Sequence, residues 1–370
     1  MRRLCVLVLA VSSVACGGPD RMHTGEDGGT SPIDAHAVDA PGHDAFVASI
    51  DGGTDAASAC GHCPTGTTCG TANGIAVCRT ASGIPRFTSV TVIVMENTSL
   101  STLSGATNTP YLTGLAASAA TSSNYHGATH PSMPNYLAMT SGMDSSHIGC
   151  DCDPTGSACS GFTCNTLLHS CGCPQTVMHI GDQLDVAGLP WRDYGENMGD
   201  PCNTTTAGSY AARHVPFVYY DNVQTNAARC AQRVVDYDLF DPVGDPQAFA
   251  FIAPNLTDDM HDPFPAGSTN LANGDTWLAA NVPPILAAPS YTSGGLLIIV
   301  WDEDDLSGVL AADDPIPIFV LSPFAKHGGF VSSVHANHYS TLATIEDGLG
   351  LSRLGLASSA QPLSDFFPAD

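Results

Sequence analysis

Three apolar runs in this chain stop abruptly on carboxylate or carboxamide side chains, and that pattern limits the fold more than any other feature of the sequence. FTSVTVIVM (87–95) runs into Glu96 and Asn97, QAFAFIA (247–253) into Pro254 and Asn255, and GGLLIIVW (294–301) into Asp302 and Glu303. Short runs of this kind, apolar and largely β-branched or aromatic, suit strands buried on both faces. A fourth run, PIPIFVLS (315–322), reads the same way. Helical stretches lie between them: TPYLTGLAAS (109–118), PNYLAMTS (134–141), HIGDQLDVAG (179–188) and HYSTLATIEDGLG (338–350). The last carries Leu342, Ile345 and Leu349 at helical spacing. The alternation predicts an α/β domain over 84–370, a sheet with helices on its faces. Such sheets place ligands beyond the carboxyl ends of their strands, so the three acidic or amide strand ends predict one functional rim.

The chain ahead of that domain has a different character. MRRLCVLVLAVSSVAC (1–16) has two arginines, an apolar run and a small residue before Cys16, as an export signal does. The SVAC tetrapeptide reads as a lipobox, and Cys16 as the residue that would carry a lipid. Export then leaves two destinations: a lipid anchor at the outer membrane or cell surface, or secretion. Residues 17–59, rich in Gly, Asp and Ala, lack the apolar side chains to offset their ordering entropy and predict a disordered linker. Cys60, Cys63, Cys69 and Cys78 form a small module over 60–80, for which disulfides compete with a zinc site. Six more cysteines crowd residues 150–173, and Cys202 and Cys230 remain; an even count in an exported chain predicts crosslinks. The formal charge of −25 excludes nucleic acid as a partner and leaves an N-terminal lipid as the only route to a membrane.

HPSMPNYLAMTSG (130–142) supplies a serine, Ser132, at what reads as a helix start, with Pro134 in the first turn. A hydroxyl there would either cap the helix or act as a nucleophile beside backbone N–H groups suited to phosphate oxygens. Carboxylates and amides on the rim are hard ligands for a divalent cation. A cation beside Ser132 would activate its hydroxyl and neutralise a transferring phosphoryl group. No G-x-S-x-G elbow, H-E-x-x-H or Walker motif occurs.

VIVMENTS, HPSMPNYLAMTSG, GDQLDVAGLPWRDYGENM, ARHVPFVYYDNV, APNLTDDMHD, IIVWDEDD and HYSTLATIEDGLGL occur in order between about 86 and 356. Together they resemble the bacterial phosphoesterase family of acid phosphatases and phospholipases C, and within it the secreted phosphatidylinositol-3-phosphatase type. The resemblance implies an alkaline-phosphatase-like fold and a metal-dependent phosphomonoesterase working through a phosphoserine on Ser132. It implies Glu96, Asn97, Asp302 and Glu303 as ligands, with Ser132, of one oxygen-liganded ion (Mg, Ca, Mn or Zn). Asn135, His126 and His130 become phosphate contacts, and His261 and His338 catalytic groups. The implied substrates are phosphate monoesters, phosphoinositides and phospholipids among them. Asn255 and Glu303 stand where two-zinc relatives of that fold carry Asp and His, which favours a single ion. Asp258, Asp259 and Asp262 read as loop-solvating residues. A phosphodiesterase or phospholipase C on the same scaffold is the alternative enzyme, and a ligand-binding surface lipoprotein the alternative of another class.

Overall fold

A computed structural model describes residues 59–144, 151–155, 159–160, 173–262, 269–305 and 314–369. The export signal with Cys16, all but the last residue of the expected linker and most of the cysteine-rich loop lie outside them. The described chain opens on a hairpin of β1 (Thr67–Ala72) and β2 (Ile75–Thr80), with disulfides Cys60–Cys69 and Cys63–Cys78. The two-residue Asn73-Gly74 turn has positive φ at both positions (51° and 80°), the geometry that Asn-Gly tolerates best. The Asn73 amide donates to the carbonyls of Pro323 and Ala325, at 3.0 and 2.7 Å, and ties the hairpin to the domain.

The central sheet follows. Its strands are β3 (Val90–Met95), β4 (Ala120–Ser122), β8 (Trp191–Gly195), β9 (Val234–Asp236), β10 (Phe249–Ala253), β11 (Leu296–Trp301), β12 (Ile318–Leu321) and β13 (Val331–Ser332). Two-stranded ladders form from β5 (Tyr125–His126) with β14 (Ala336–Asn337), and from β6 (Asp151–Cys152) with β7 (Cys159–Ser160). The main sheet runs β13-β4-β12-β11-β3-β10-β8-β9; β11, β3, β10, β8 and β9 are mutually parallel, and β12 opposes both its neighbours. All four strands expected from sequence form, β3, β10 and β11 shortened only at their amino ends and β12 at both. Because β3, β10 and β11 run the same way in neighbouring positions, their carboxyl ends reach one rim together.

Five helices matter for the site: α1 (Pro110–Ala116), α2 (Ser132–Ser141), α3 (Ile180–Ala187), α4 (Asn270–Ala287) and α5 (His338–Leu349). Phe251 of β10 stands opposite Val92 of β3, and the Tyr136 ring of α2 lies 6.0 Å from Phe251, so α2 covers that face with α5 packed on it. Side chains alternate along a strand, so Met95 points the other way, onto α4. There Gly274 comes so near that a Cβ would lie 2.9 Å from the Met95 methyl. Helix α1 packs on α4, and its first N–H groups, Tyr111 and Leu112, donate to the Asp275 carboxylate at 3.1 and 2.8 Å. Helices on both faces, as expected, therefore enclose an apolar sheet. The sequence reading did not identify α4, whose periodicity is interrupted by Gly274, Pro283 and Pro284.

Candidate active site

Ser132 is the first residue of α2, and Pro131 before it provides no side-chain cap. The Ser132 hydroxyl does not cap the helix either: it donates to Glu96 Oε2 at 2.9 Å. The N–H of Met133 instead donates to Asp151 Oδ1 at 3.0 Å. Residues four apart share a helix face, so the Tyr136 hydroxyl reaches the same carboxylate and donates to Glu96 Oε1 at 2.6 Å. One acid from the end of β3 thus receives both helix donors.

Behind Glu96 lies a histidine that sequence reasoning missed. His214 places Nε2 3.2 Å from Glu96 Oε1 and Nδ1 3.1 Å from Asp259 Oδ2, with its ring stacked flat on Tyr136 at 5.3 Å. Asp302 adjoins Glu96 and Ser132, and its Oδ1 accepts the Asn97 N–H at 3.1 Å. Burial raises the carboxyls of Glu96, Asp259 and Asp302, and neighbouring carboxylates add to this at Glu96 and Asp259. Burial drives His214 well below the usual imidazole range. A neutral imidazole has a single N–H, so one of its ring nitrogens turns a lone pair toward a carboxylate. His214 Nε2 and Asp302 Oδ2 are both buried without a hydrogen-bond partner. The cluster is short of positive charge, and Glu96, His214 and Asp259 stand close enough together for a cation to supply it.

A second group flanks Ser132. His130 Nδ1 lies 3.0 Å from Glu303 Oε2, and its Nε2 lies 3.5 Å from Asp304. Burial alone would lower His130, but its hydrogen bond to Glu303 and the charges of Glu303, Asp304 and Asp302 lift it to about 9. Burial and the Asp302 charge raise Glu303 to about 8. Asn135 donates to Thr129 O and, at 3.4 Å, to Glu303 Oε2, while its Oδ1 accepts the N–H groups of Ala128 and Thr129. Its present hydrogen bonds therefore shape the loop before Ser132.

The remaining sequence-derived residues fall in several places. His338 is fully buried, with Nε2 2.6 Å from the Asp302 carbonyl and Nδ1 3.1 Å from the Tyr125 hydroxyl. Both ring nitrogens are engaged, so it supports Asp302 and cannot meet a leaving group in this arrangement. His126 pairs through Nε2 with Asn124 and stacks on His335. Asn97 touches the cluster through its backbone N–H. Asn255 spends its amide on Glu196, Asn197 and Asp258, which fixes the turn that aims Asp259 inward. His261 sits between Arg213 and Asp262, at 3.1 and 2.8 Å. Asp259 is thus a buried member of the site and not a solvating loop residue. The signal for His214 was a lone histidine directly ahead of the apolar run VPFVYY.

These features bring together a buried serine at a helix start, a carboxylate that aims it, and an acid cluster able to hold a cation. The family described as "Phosphoesterase family" matches residues 87–352, and the chain belongs to it. It is accordingly a phosphoric ester hydrolase. The chain is 30% identical over 77% of its length to the Phosphatidylinositol-3-phosphatase of Mycobacterium tuberculosis, covering 84% of that protein. It is 29% identical to a probable acid phosphatase of Kluyveromyces lactis and 28% identical to an acid phosphatase of Aspergillus fumigatus, over 71% and 63% of this chain. It spans 58% and 48% of the lengths of these two fungal relatives. Among solved structures, a protein in the alkaline phosphatase superfamily from Vibrio parahaemolyticus aligns with 73% of this chain and 68% of its own, at 13% identity and a TM-score of 0.48.

Proposed function

We propose that the chain is an exported phosphomonoesterase of the acid-phosphatase type, dependent on a divalent cation and acting through a phosphoserine on Ser132. The observation that carries this reading is the Ser132 hydroxyl donating to Glu96 at the first turn of α2. Glu96 and Asp302, with the Ser132 hydroxyl, are the groups that would hold the cation, His214 and Asp259 standing behind Glu96 and Asn97 and Glu303 beside it. When bound, such an ion neutralises phosphoryl charge and favours an ionised oxygen nucleophile. Carboxylate and hydroxyl oxygens are hard ligands and suit Mg, Ca and Mn. Glu96 accepts the proton of Ser132 as Oγ attacks phosphorus. The bond to the leaving alkoxide breaks, and His130, two residues away and one-third exposed, returns a proton to that oxygen. Water then attacks the phosphoserine, restoring Ser132 and releasing inorganic phosphate. A phosphoinositide is the substrate class suggested by the Mycobacterium relative. Export is supported by the N-terminal sequence and by the disulfides, including Cys202–Cys230.

Three measurements test the proposal. Acid quench of wild-type protein during turnover of p-nitrophenyl phosphate should leave one phosphoryl group on the peptide containing Ser132. Ser132→Ala should lose several orders of magnitude in kcat with its fold intact, and chelation should abolish wild-type turnover until metal is restored. Phosphate on a histidine, or an active Ser132→Ala, would sink the phosphoserine reading. Full turnover of metal-free protein would sink the cation.

A further inference from the structure

A phosphate monoester brings two negative charges to a rim already crowded with Glu96, Asp302, Glu303 and Asp304, so the site needs a permanent cation of its own. Among the described residues, the lysines and arginines are committed elsewhere with a single exception. Arg192, Arg229, Arg233 and Arg353 pair with distant aspartates. Arg79 and Arg86 bond backbone carbonyls, and Lys326 lies over Phe330. Arg213 alone joins the site. It precedes His214 on the 3-10 turn Ala212–His214, its Nε 3.6 Å from Asp151 Oδ2, and Asp151 is the residue that accepts the Met133 N–H at the start of α2.

Arg213 is also aimed. Its Nη2 lies 3.1 Å from His261 Nε2. A guanidinium only donates, so Nε2 accepts, and the His261 proton sits on Nδ1, where Asp262 Oδ1 takes it at 2.8 Å. The His261 backbone N–H donates to Asp259 at 2.7 Å, which fixes the imidazole against the same buried cluster. His261 therefore serves as a positioning residue and not as the proton donor expected of it. His261 uses one N–H of Nη2, and the Asp151 contact at 3.6 Å is an ion pair without a hydrogen bond. Among the described residues nothing is hydrogen-bonded to Nη1, and the side chain stays about one-fifth exposed.

We propose that Arg213 binds the unesterified oxygens of the substrate phosphoryl group and makes the enzyme prefer monoesters over diesters. The guanidinium fork meets two oxygens at once. A monoester offers three unesterified oxygens carrying two charges, whereas a diester offers two carrying one. The fork therefore gains more from the monoester, and a second ester arm displaces one of the oxygens it could grip. This inference rests on the phosphomonoesterase reading above.

The experiment compares full-length wild type, Arg213→Met and Arg213→Lys on p-nitrophenyl phosphate and on bis(p-nitrophenyl) phosphate. Methionine keeps much of the apolar stem, and thermal melting verifies the fold. We expect kcat/KM for the monoester to fall about thirtyfold or more in Arg213→Met and for the diester about threefold or less, with Arg213→Lys between. Should Arg213→Met fail to fold, Arg213→Lys must still shift the monoester-to-diester ratio the same way. Calorimetry with inorganic phosphate supplies a readout free of turnover: Ser132→Ala should bind it, and adding Arg213→Met should weaken binding at least about tenfold. Equal losses on both esters, or unchanged phosphate affinity, would overturn the inference. A wild type inert on both esters would overturn the proposed activity instead, and the phosphate titration would still decide the role of Arg213.

Discussion

Glu346 is a carboxyl buried inside α5, with Oε1 accepting the Leu354 N–H at 2.9 Å and Oε2 without a hydrogen-bond partner. Burial raises it from 4.5 to about 8. The folded chain thus holds a proton that the unfolded chain releases above its ordinary pKa. The contribution of Glu346 to stability is full below about pH 4.5 and is lost progressively as pH rises toward 8. Glu346→Gln keeps the acceptor and removes the titration. It should match wild type in acid and exceed it at pH 8 by a few kcal/mol, on the order set by a shift of this size. Urea midpoints of both proteins at pH 4.5, 6 and 8 check this, and parallel pH profiles would refute it. At this scale the sequence was only partly legible. Glu96, Ser132 and Asp302 were readable because each sits at the end of a regular element. His214, Asp259 and Tyr136 were not, because their meaning comes from contacts with one another and with Glu96 across 40 or more residues of chain.

At the scale of the element, α2 must hold Ser132 against Glu96, and its far end is clamped by backbone contact. Gly142 ends the helix at φ 66°, donating to Ala138 O, while its own carbonyl accepts the Leu356 N–H at 2.8 Å. A Cβ there would lie 2.5 Å from the Leu354 carbonyl oxygen, and backbone of this kind cannot step aside cheaply. Gly188 caps α3 at φ 68° with nothing within 4 Å of its would-be Cβ. The two positions carry the same left-handed penalty of about 1 kcal/mol and differ only in the close approach. Gly188→Ala should therefore cost about 1 kcal/mol and leave turnover alone. Gly142→Ala should cost clearly more and lower kcat by shifting α2. Equal denaturation midpoints for the two variants would refute the clamp. The element pattern itself was readable because apolar runs and helical spacing are local. Strand β8 was not, since WRDYG carries Arg192 and Asp193 in a strand that becomes central only when β9 and β10 flank it.

At the scale of the whole molecule, the small cysteine-rich module and the catalytic domain share a hydrophobic core without sharing the chemistry. Ala72 and Val77 of the hairpin are buried in the same cluster as Ile84 and Phe87. The Cys78 carbonyl accepts the Arg86 N–H at 2.8 Å, and Asn73 fastens the hairpin turn to the 323–325 segment. None of these contacts reaches Glu96, Ser132, His214 or Asp302, which lie at the strand ends of the main sheet. Removing residues 1–80 should therefore separate two properties that a destabilising active-site mutation would change together. Losing a buried valine and alanine with their hydrogen bonds should cost about 2–4 kcal/mol and lower the melting temperature by several degrees. Turnover of p-nitrophenyl phosphate at 25 °C should stay within about threefold of wild type, because each group proposed to touch the phosphoryl lies beyond residue 81. The chain should be made in an oxidising host so that Cys202–Cys230 still forms. A folded truncated protein that loses more than about tenfold in kcat/KM, roughly 1.4 kcal/mol of barrier, would mean that the hairpin helps shape the site. An unchanged melting temperature would mean instead that its buried side chains contribute nothing to the domain they cover.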